Sequence, residues 1–287
     1  MKARIIKIVS KDYELLTDEG VRIPAIVMGK VRLQDTPVAG DMVEAEETDS
    51  RFVIQKILPR TSHLLRPAVA NVDQAIIVMS VKDPEFSPLL IDRLAILIMH
   101  AGIRPLLCVT KTDLGISAET EARIREYELG PMQVIRTAKD SLSPDLAGIL
   151  SGRITVLTGQ SGAGKSSLLN ELDPSFHLET QEISKALGRG RHTTRHNELH
   201  EVAGGLVADT PGFSSLDFSA IDAADLAQCV PDFGPYIGQC RFNDCVHQNE
   251  PGCSVKAAVE SGQIPRTRYE SYLSVLKLIQ ERKERYL

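Results

Sequence analysis

The chain has 287 residues, of which 43% are hydrophobic and 25% charged, with a formal net charge of -5 and five cysteines. That length exceeds one ordinary core, so two or three domains are expected, and the composition is globular rather than disordered or fibrous. The acidic balance argues against general adhesion to nucleic acid, so any such contact has to come from a local basic patch or from shape. The longest apolar run, Leu89 to Met99, is broken by Asp92 and Arg93, and Met1-Lys2-Ala3-Arg4-Ile5-Ile6-Lys7 has no secretory apolar block. Both features point to a cytoplasmic protein with no membrane association. Its cysteines would stay reduced there, and a cluster of them reads as a metal site.

Short extended runs fill the first sixty residues: Arg4 to Val9, Tyr13 to Leu16, Val21 to Val27, Asp41 to Ala45 and Arg51 to Ile57. Turn signals such as Asp18-Glu19-Gly20 separate them, and about five strands in so short a stretch predict a small barrel, most simply the five-stranded oligonucleotide-binding (OB) fold. Such a barrel either binds RNA or only docks on its neighbour. With Tyr13 and Phe52 as its chief aromatics, phosphate and shape contacts are favoured over base stacking. Pro59 to Pro67 reads as a basic linker.

The pattern then changes to buried strands alternating with helices: strand Ala75–Ser80, helix Leu89–Ala101, strand Pro105–Val109, helix Ser117–Tyr127, strand Met132–Arg136, helix Pro144–Leu150 and strand Arg153–Thr158. This alternation predicts a mostly parallel sheet covered on both faces. At the end of the second of these strands stands Thr110-Lys111-Thr112-Asp113, where ligands of open α/β sheets bind. A carboxylate at Asp113 can accept from both the ring N–H and the exocyclic amine of guanine, a donor pair adenine lacks. The Lys111 stem can lie along the base. Thr137-Ala138-Lys139 follows the next strand and resembles the loop that closes over the base in GTPases.

Gly159-Gln160-Ser161-Gly162-Ala163-Gly164-Lys165-Ser166 matches G-x-x-x-x-G-K-[ST] at every fixed position and lies between a predicted strand and a helix opening at Ser166-Ser167. Glycines let the backbone wrap a polyphosphate, Lys165 supplies a cation, and the Ser166 hydroxyl can ligate magnesium. Further on, the apolar strand Leu206-Val207-Ala208 runs into Asp209-Thr210-Pro211-Gly212, in which Asp209 would hold magnesium through water and the Gly212 N–H would face the terminal phosphate. The base-reading segments precede the phosphate loop, the reverse of the common order, as in a circular permutation of a GTPase. Gly188 to His196, glycine-rich and basic, suits a switch loop in which Thr193 or Thr194 reaches magnesium. Phe213 stands where many GTPases carry a water-orienting glutamine, and His192 is the candidate for that role.

The last region carries Cys240-x4-Cys245-x-His247-x5-Cys253, three thiols and an imidazole able to close a tetrahedral zinc shell with no open position. Cys108 and Cys229 lie outside it and are expected to be unligated. Tyr269, Tyr272, Leu273, Leu276 and Ile279 fall at helical spacing and predict a helix with one packing face.

Taken in this order, Gly159–Ser167, His192-Thr193-Thr194, Asp209–Gly212 and the zinc spacing resemble the ribosome small subunit-dependent GTPase A family (RsgA, also YjeQ or EngC) over essentially the whole chain. The resemblance implies a multidomain α/β protein. Its parts would be an OB-fold barrel over 1–62, a circularly permuted P-loop GTPase domain over 63–219 and a mainly helical zinc-binding domain over 220–287. It implies slow GTP hydrolysis to GDP and phosphate stimulated by the small ribosomal subunit, a role late in that subunit's maturation, rRNA contacts from the barrel and zinc domains, one structural Zn2+, Mg2+ with GTP, and a monomer. Catalysis would fall to Lys165, His192 and Thr194, with magnesium held by Ser166, Thr194 and Asp209. Thr110 departs from the usual asparagine, whose amide ties the base loop to the phosphate loop. A hydroxyl replaces only part of that, so affinity would be modest while Asp113 keeps selectivity. A reading of another class is an RNA-binding assembly module with a vestigial nucleotide site; an ATP-using P-loop enzyme would require Thr110–Asp113 to be coincidental.

Overall fold

The computed structural model describes residues 1–27, 36–48, 51–65, 68–139, 141, 145–173, 197–208 and 216–284. The chain divides into two compact units that interleave in sequence. One comprises Met1–Ala75, Pro144–Leu157 and Lys165–Gly212; the other comprises Ile76–Ser143, Thr158–Gly164 and Phe213–Leu287.

The first unit opens with β1 (Lys2–Val9), β2 (Asp12–Thr17), β3 (Arg22–Ile26), β4 (Met42–Thr48) and β5 (Arg51–Ile57). Each strand pairs antiparallel with a neighbour, β3 and β5 pair parallel, and the order β1-β2-β3-β5-β4 returns to β1, closing a five-stranded barrel of the OB type. The period-two pattern explains its interior: Ala3, Ile5, Leu15, Ala25, Val43, Ala45 and Ile54 point inward, and the alanines make room for the larger side chains.

The segment read as a linker is tied down. Arg60 donates from Nε and Nη2 to the two carboxylate oxygens of fully buried Asp41 at 2.7 and 2.8 Å. Just beyond, β6 (His63–Leu65) pairs antiparallel with β7 (Ala68–Ala70). Gly40 is required at this junction, since a Cβ there would lie 2.0 Å from the Ala70 carbonyl oxygen.

The remaining elements are, in chain order, β8 (Gln74–Ser80), α1 (Pro88–His100), β9 (Arg104–Thr110), α2 (Ala118–Glu128), β10 (Gln133–Arg136), α3 (Asp145–Leu150), β11 (Ile154–Thr158), α4 (Lys165–Leu172), β12 (Asn197–Val202), β13 (Gly205–Ala208), α5 (Ala223–Leu226), α6 (Ser254–Glu260) and α7 (Arg266–Glu284). In the first unit β11 runs parallel to β13, which pairs antiparallel with β12, and β12 pairs antiparallel with β1 of the barrel. An ion pair at 2.7 Å from Lys7 to Glu198 reinforces that last seam, and another at 2.7 Å ties Glu201 of β12 to Arg22 of β3. Sequence alone gave no sign of β12: it is charged or polar except for buried Leu199 and Val202, so neither an apolar run nor clean alternation marks it.

In the second unit β9 and β10 are parallel, and β8 and β9 are buried almost throughout, as their uninterrupted apolar runs require. Helix α1 is N-capped by Ser87 and places Ile96 and Leu97 in a core shared with Phe233, Val255, Tyr272 and Leu276 of the C-terminal helical region. The tail behaves as its spacing predicts, burying Tyr272, Leu276 and Ile279 on one face of α7.

Candidate active site and metal centre

Strand β9 ends at buried Thr110, and Lys111 adopts a left-handed conformation (φ 59°) that turns the chain into a 3-10 turn over Thr112–Leu114. The Thr110 hydroxyl donates to the Ala163 carbonyl oxygen at 2.6 Å. It carries one proton, and the alternative acceptor, the Met79 carbonyl at 3.5 Å, is too distant to compete. Thr112 donates from Oγ1 and from its backbone N–H to the Thr137 carbonyl at 3.0 and 3.3 Å. The Lys139 N–H donates to Asp113 Oδ1 at 3.0 Å. Three segments far apart in sequence, Thr110–Asp113, Thr137–Lys139 and the phosphate loop at Ala163, are thereby joined directly. Asp113 is exposed, and a carboxylate has about four acceptor sites, so the bond to Lys139 leaves capacity for both guanine donors. The Lys111 ammonium donates to the Asp83 carbonyl, which fixes its stem.

Strand β11 leads into Gly159–Gly164, and α4 begins at Lys165, the strand-loop-helix setting the motif requires. Gly159, Gly162 and Gly164 have φ of 129°, 82° and 97°, and a Cβ on Gly159 would lie 2.0 Å from the Val78 carbonyl oxygen. At the turn the Ala163 N–H donates to the Gln160 carbonyl at 3.2 Å, beside exposed Ser161. Ser166 and Ser167 lie in the first turn of α4, whose N–H groups have no intrahelical acceptors and suit an anion. Burial pushes the Lys165 ammonium below its ordinary pKa, a cost that a phosphate beside it would offset. His192, Thr193, Thr194, Asp209 and Gly212 lie outside the described residues; β13 ends at Ala208, one residue before Asp209.

The four metal-ligating candidates converge. His247 Nδ1 lies 3.5, 3.4 and 3.3 Å from the sulfurs of Cys240, Cys245 and Cys253, and the sulfurs of Cys240 and Cys253 are 3.9 Å apart. Bonds of ~2.3 Å to sulfur and ~2.0 Å to nitrogen at tetrahedral angles require S···S of ~3.8 Å and S···N of ~3.5 Å, so this Cys3His shell could hold a zinc ion. Supporting groups hold the loop. Glu250 accepts from the N–H groups of Val246, Gln248 and Asn249 at 3.2, 2.9 and 3.1 Å. Tyr272 and Tyr269 on α7 donate to the carbonyls of Val246 and His247 at 2.5 and 2.7 Å. Cys108 and Cys229 are buried and are not among the four converging side chains, and burial pushes the Cys108 thiol up to about 12.

Sequence reading missed a second buried cluster. Arg268 of α7, 3% exposed, pairs through Nη1 with Asp92 of α1, 4% exposed. Its Nε lies 3.3 Å from Asp232 Oδ2, at ion-pair distance, and its guanidinium covers the Tyr127 ring at 3.7 Å. Tyr127 donates to Asp92 at 2.9 Å. A signal existed: Arg268 falls one turn before Tyr272 on the apolar stripe, and Asp92 interrupts the apolar run of α1, so each charge sits on a face that must be buried.

A G-x-x-x-x-G-K-S loop preceded in the chain by the T-K-x-D segment at Thr110–Asp113, with the two bonded to each other, has the order of a circularly permuted P-loop GTPase. The RsgA GTPase family model matches residues 57–219. The chain is 44% identical to the small ribosomal subunit biogenesis GTPase RsgA of Shouchella clausii, covering 98% of each chain, and 45% identical to that of Geobacillus kaustophilus, covering 99% of each. Among solved structures it is similar to YloQ, described as a circularly permuted GTPase (36% identity, TM-score 0.82, 98% and 95% covered), and to YjeQ from Thermotoga maritima (33% identity, TM-score 0.85, 97% and 98% covered). The chain belongs to the RsgA GTPase family, and it is a GTP-hydrolysing enzyme.

Proposed function

We propose that this GTPase is a cytoplasmic, monomeric assembly factor that binds the small ribosomal subunit and its rRNA late in maturation, and that the subunit stimulates its turnover. The reading is carried by the full-length similarity to relatives named for small-subunit biogenesis. In this reading the chain has three functional parts, the barrel over 1–62, the GTPase domain over 63–219 and the zinc domain over 220–287, with rRNA contacts from the first and last.

Asp113 reads guanine, with Thr110, Lys111, Thr112 and Thr137–Lys139 framing the base, and Gly159–Ser167 cradle the phosphates. Ser166, Asp209 and Thr194 or Thr193 would hold Mg2+, and the Gly212 N–H would serve the terminal phosphate. His192 orients the attacking water, a role that the apolar Phe213 cannot fill. Bound Mg2+ supplies charge neutralisation at the transferring phosphate, while Lys165 and the loop amides orient it. One Zn2+ resides in the Cys240, Cys245, His247 and Cys253 shell and serves the fold, because four protein ligands leave no open position.

The test is GTP turnover by the purified protein with and without small subunits, with ATP as control. Turnover that rises with subunits and is specific for GTP is expected; a rate indifferent to subunits would reject the partner. Lys165→Ala should abolish turnover and leave immature subunits in cells, and normal maturation with that variant would reject the enzymatic role in assembly. His192→Ala should lower stimulated turnover while sparing GTP binding.

A further inference from the structure

The base-reading loops and the C-terminal helix lie at opposite ends of one chain of polar contacts, all within the second unit. It begins at Arg268 and Thr267 on α7. Arg268 stacks on Tyr127, and the Thr267 hydroxyl donates to Glu126 at 3.0 Å, so both grip the last turn of α2. Helix α2 is in turn clasped by Arg136, which donates from Nη1 and Nη2 to both Glu121 oxygens and from Nε to Glu128, each at 2.8 Å. Arg136 is the last residue of β10. The next residues are Thr137–Lys139, whose backbone holds Thr112 and Asp113. Helix α2 also starts directly after the base loop, capped by the Ser117 hydroxyl accepting from Thr120 N–H at 3.1 Å. The helix is therefore fixed to the base-reading loops by its N-terminus and by Arg136, and to the C-terminal region by its last turn.

We infer that Arg136 and Arg268 are positioning residues for guanine nucleotide binding, and that α2 transmits the placement of the C-terminal zinc-bearing region to Asp113. The inference rests on the base-reading role proposed above for Asp113. A bidentate guanidinium-carboxylate clasp fixes direction as well as distance. The buried Arg268 site has two carboxylates on one guanidinium, so losing the guanidinium removes the cation that both pair with. A shift of the C-terminal region, such as a macromolecular partner would impose, thus reaches the base loop through a rigid helix. By linkage the nucleotide exerts the reciprocal effect.

The experiment uses the full-length, zinc-loaded protein with Mg2+ and GDP or GTP as probes. Dissociation constants are measured for wild type, Arg136→Gln, Arg268→Met and the double variant, with zinc content and thermal stability recorded for each. Each single variant should weaken GDP binding about 5-fold, and the double variant should fall clearly short of the roughly 25-fold product expected of independent sites. In wild type, saturating GDP should slow amide hydrogen exchange in the first turns of α7, and Arg136→Gln should abolish that protection. A purely structural role would lower stability and leave affinity and protection unchanged. If Arg268→Met fails to fold, Thr267→Val takes its place alongside the surface variant Arg136→Gln. Wild-type affinity in the folded variants, or affinity losses that simply multiply, overturns the coupling. Asp113→Asn run in parallel separates the two failures. Unchanged guanine preference there removes the base-reading role and this coupling with it, whereas lost preference there with wild-type affinity in the arginine variants overturns the coupling alone.

Discussion

The Thr110 hydroxyl donates to the Ala163 carbonyl oxygen at 2.6 Å, so the threonine that replaces the usual asparagine still ties the base loop to the phosphate loop. Gly164, next to Ala163, has φ 97°, a left-handed conformation that favours glycine, and its Cα side faces Thr110 at ordinary van der Waals distance. Thr110→Val keeps the shape of the side chain and removes the donor. It should weaken GTP and GDP binding alike by about 5- to 10-fold, the equivalent of ~1 to 1.5 kcal/mol for one lost neutral hydrogen bond. Titration with a fluorescent guanine nucleotide measures it, and an unchanged dissociation constant would show that the tie does not contribute to binding.

The guanine selectivity proposed for Asp113 involves a different pair. Asp113 accepts from the Lys139 N–H and stays exposed for a base, so its charge and its acceptor-only character matter more than its packing. Asp113→Asn can keep the Lys139 bond through its carbonyl oxygen but presents an amide where guanine also presents donors. Guanine affinity should fall by about 100-fold or more, on the order of 3 kcal/mol, with little change in thermal stability. Competition of ATP against GTP is the measurement, and a preserved preference for GTP would refute the assignment.

These two sites also show how far sequence carried the description. The strand-loop-helix at Gly159–Lys165 was legible because its glycines are dictated by backbone conformation. Gly159 can be nothing larger against the Val78 carbonyl. The barrel was legible from period-two alternation, and the Cys240–Cys253 cluster from ligand clustering alone. What sequence did not show are contacts between positions remote in the chain. Thr110 with Ala163, Arg268 with Asp92 and Arg60 with Asp41 depend on topology, and a charged residue reads as solvated until its partner is known. Strand β12 was hidden for a related reason: its stability comes from pairing with β1 and β13, which its own polar sequence does not announce.

The metal centre should be a stability element for the whole C-terminal region. Cys253 lies in the same core as Phe233 and Tyr272 and N-caps α6, accepting from the Lys256 N–H at 3.4 Å. Without an ion, three sulfurs and an imidazole would crowd within 4.8 Å of one another with no cation to hold them together. Chelation, or Cys245→Ser, should therefore destabilise the protein by about 4 kcal/mol or more and release one zinc per chain. Elemental analysis alongside thermal unfolding checks this. Full stability after complete removal of metal would show that the core alone holds the loop.

The Arg136 clasp predicts how the protein responds to acid. Its hydrogen bonds lower the pKa of Glu121 and Glu128 below the ordinary 4.5, against a smaller opposing effect of burial. A carboxyl group whose pKa is lower folded than unfolded contributes stability that is complete above the unfolded value and lost as the pH falls through the folded one. The contribution is therefore intact near neutrality and disappears as the pH drops below 4.5. Both glutamates are partly solvated, so the effect is screened and modest, about 0.5 to 1 kcal/mol per pair at low salt. Arg136→Gln should flatten the stability profile below pH 4.5 and leave its shape above pH 6 unchanged, and raised salt should shrink the difference from wild type. Denaturant midpoints across that range give the comparison. Parallel acid limbs for the two proteins would show that other carboxylates carry the acid sensitivity.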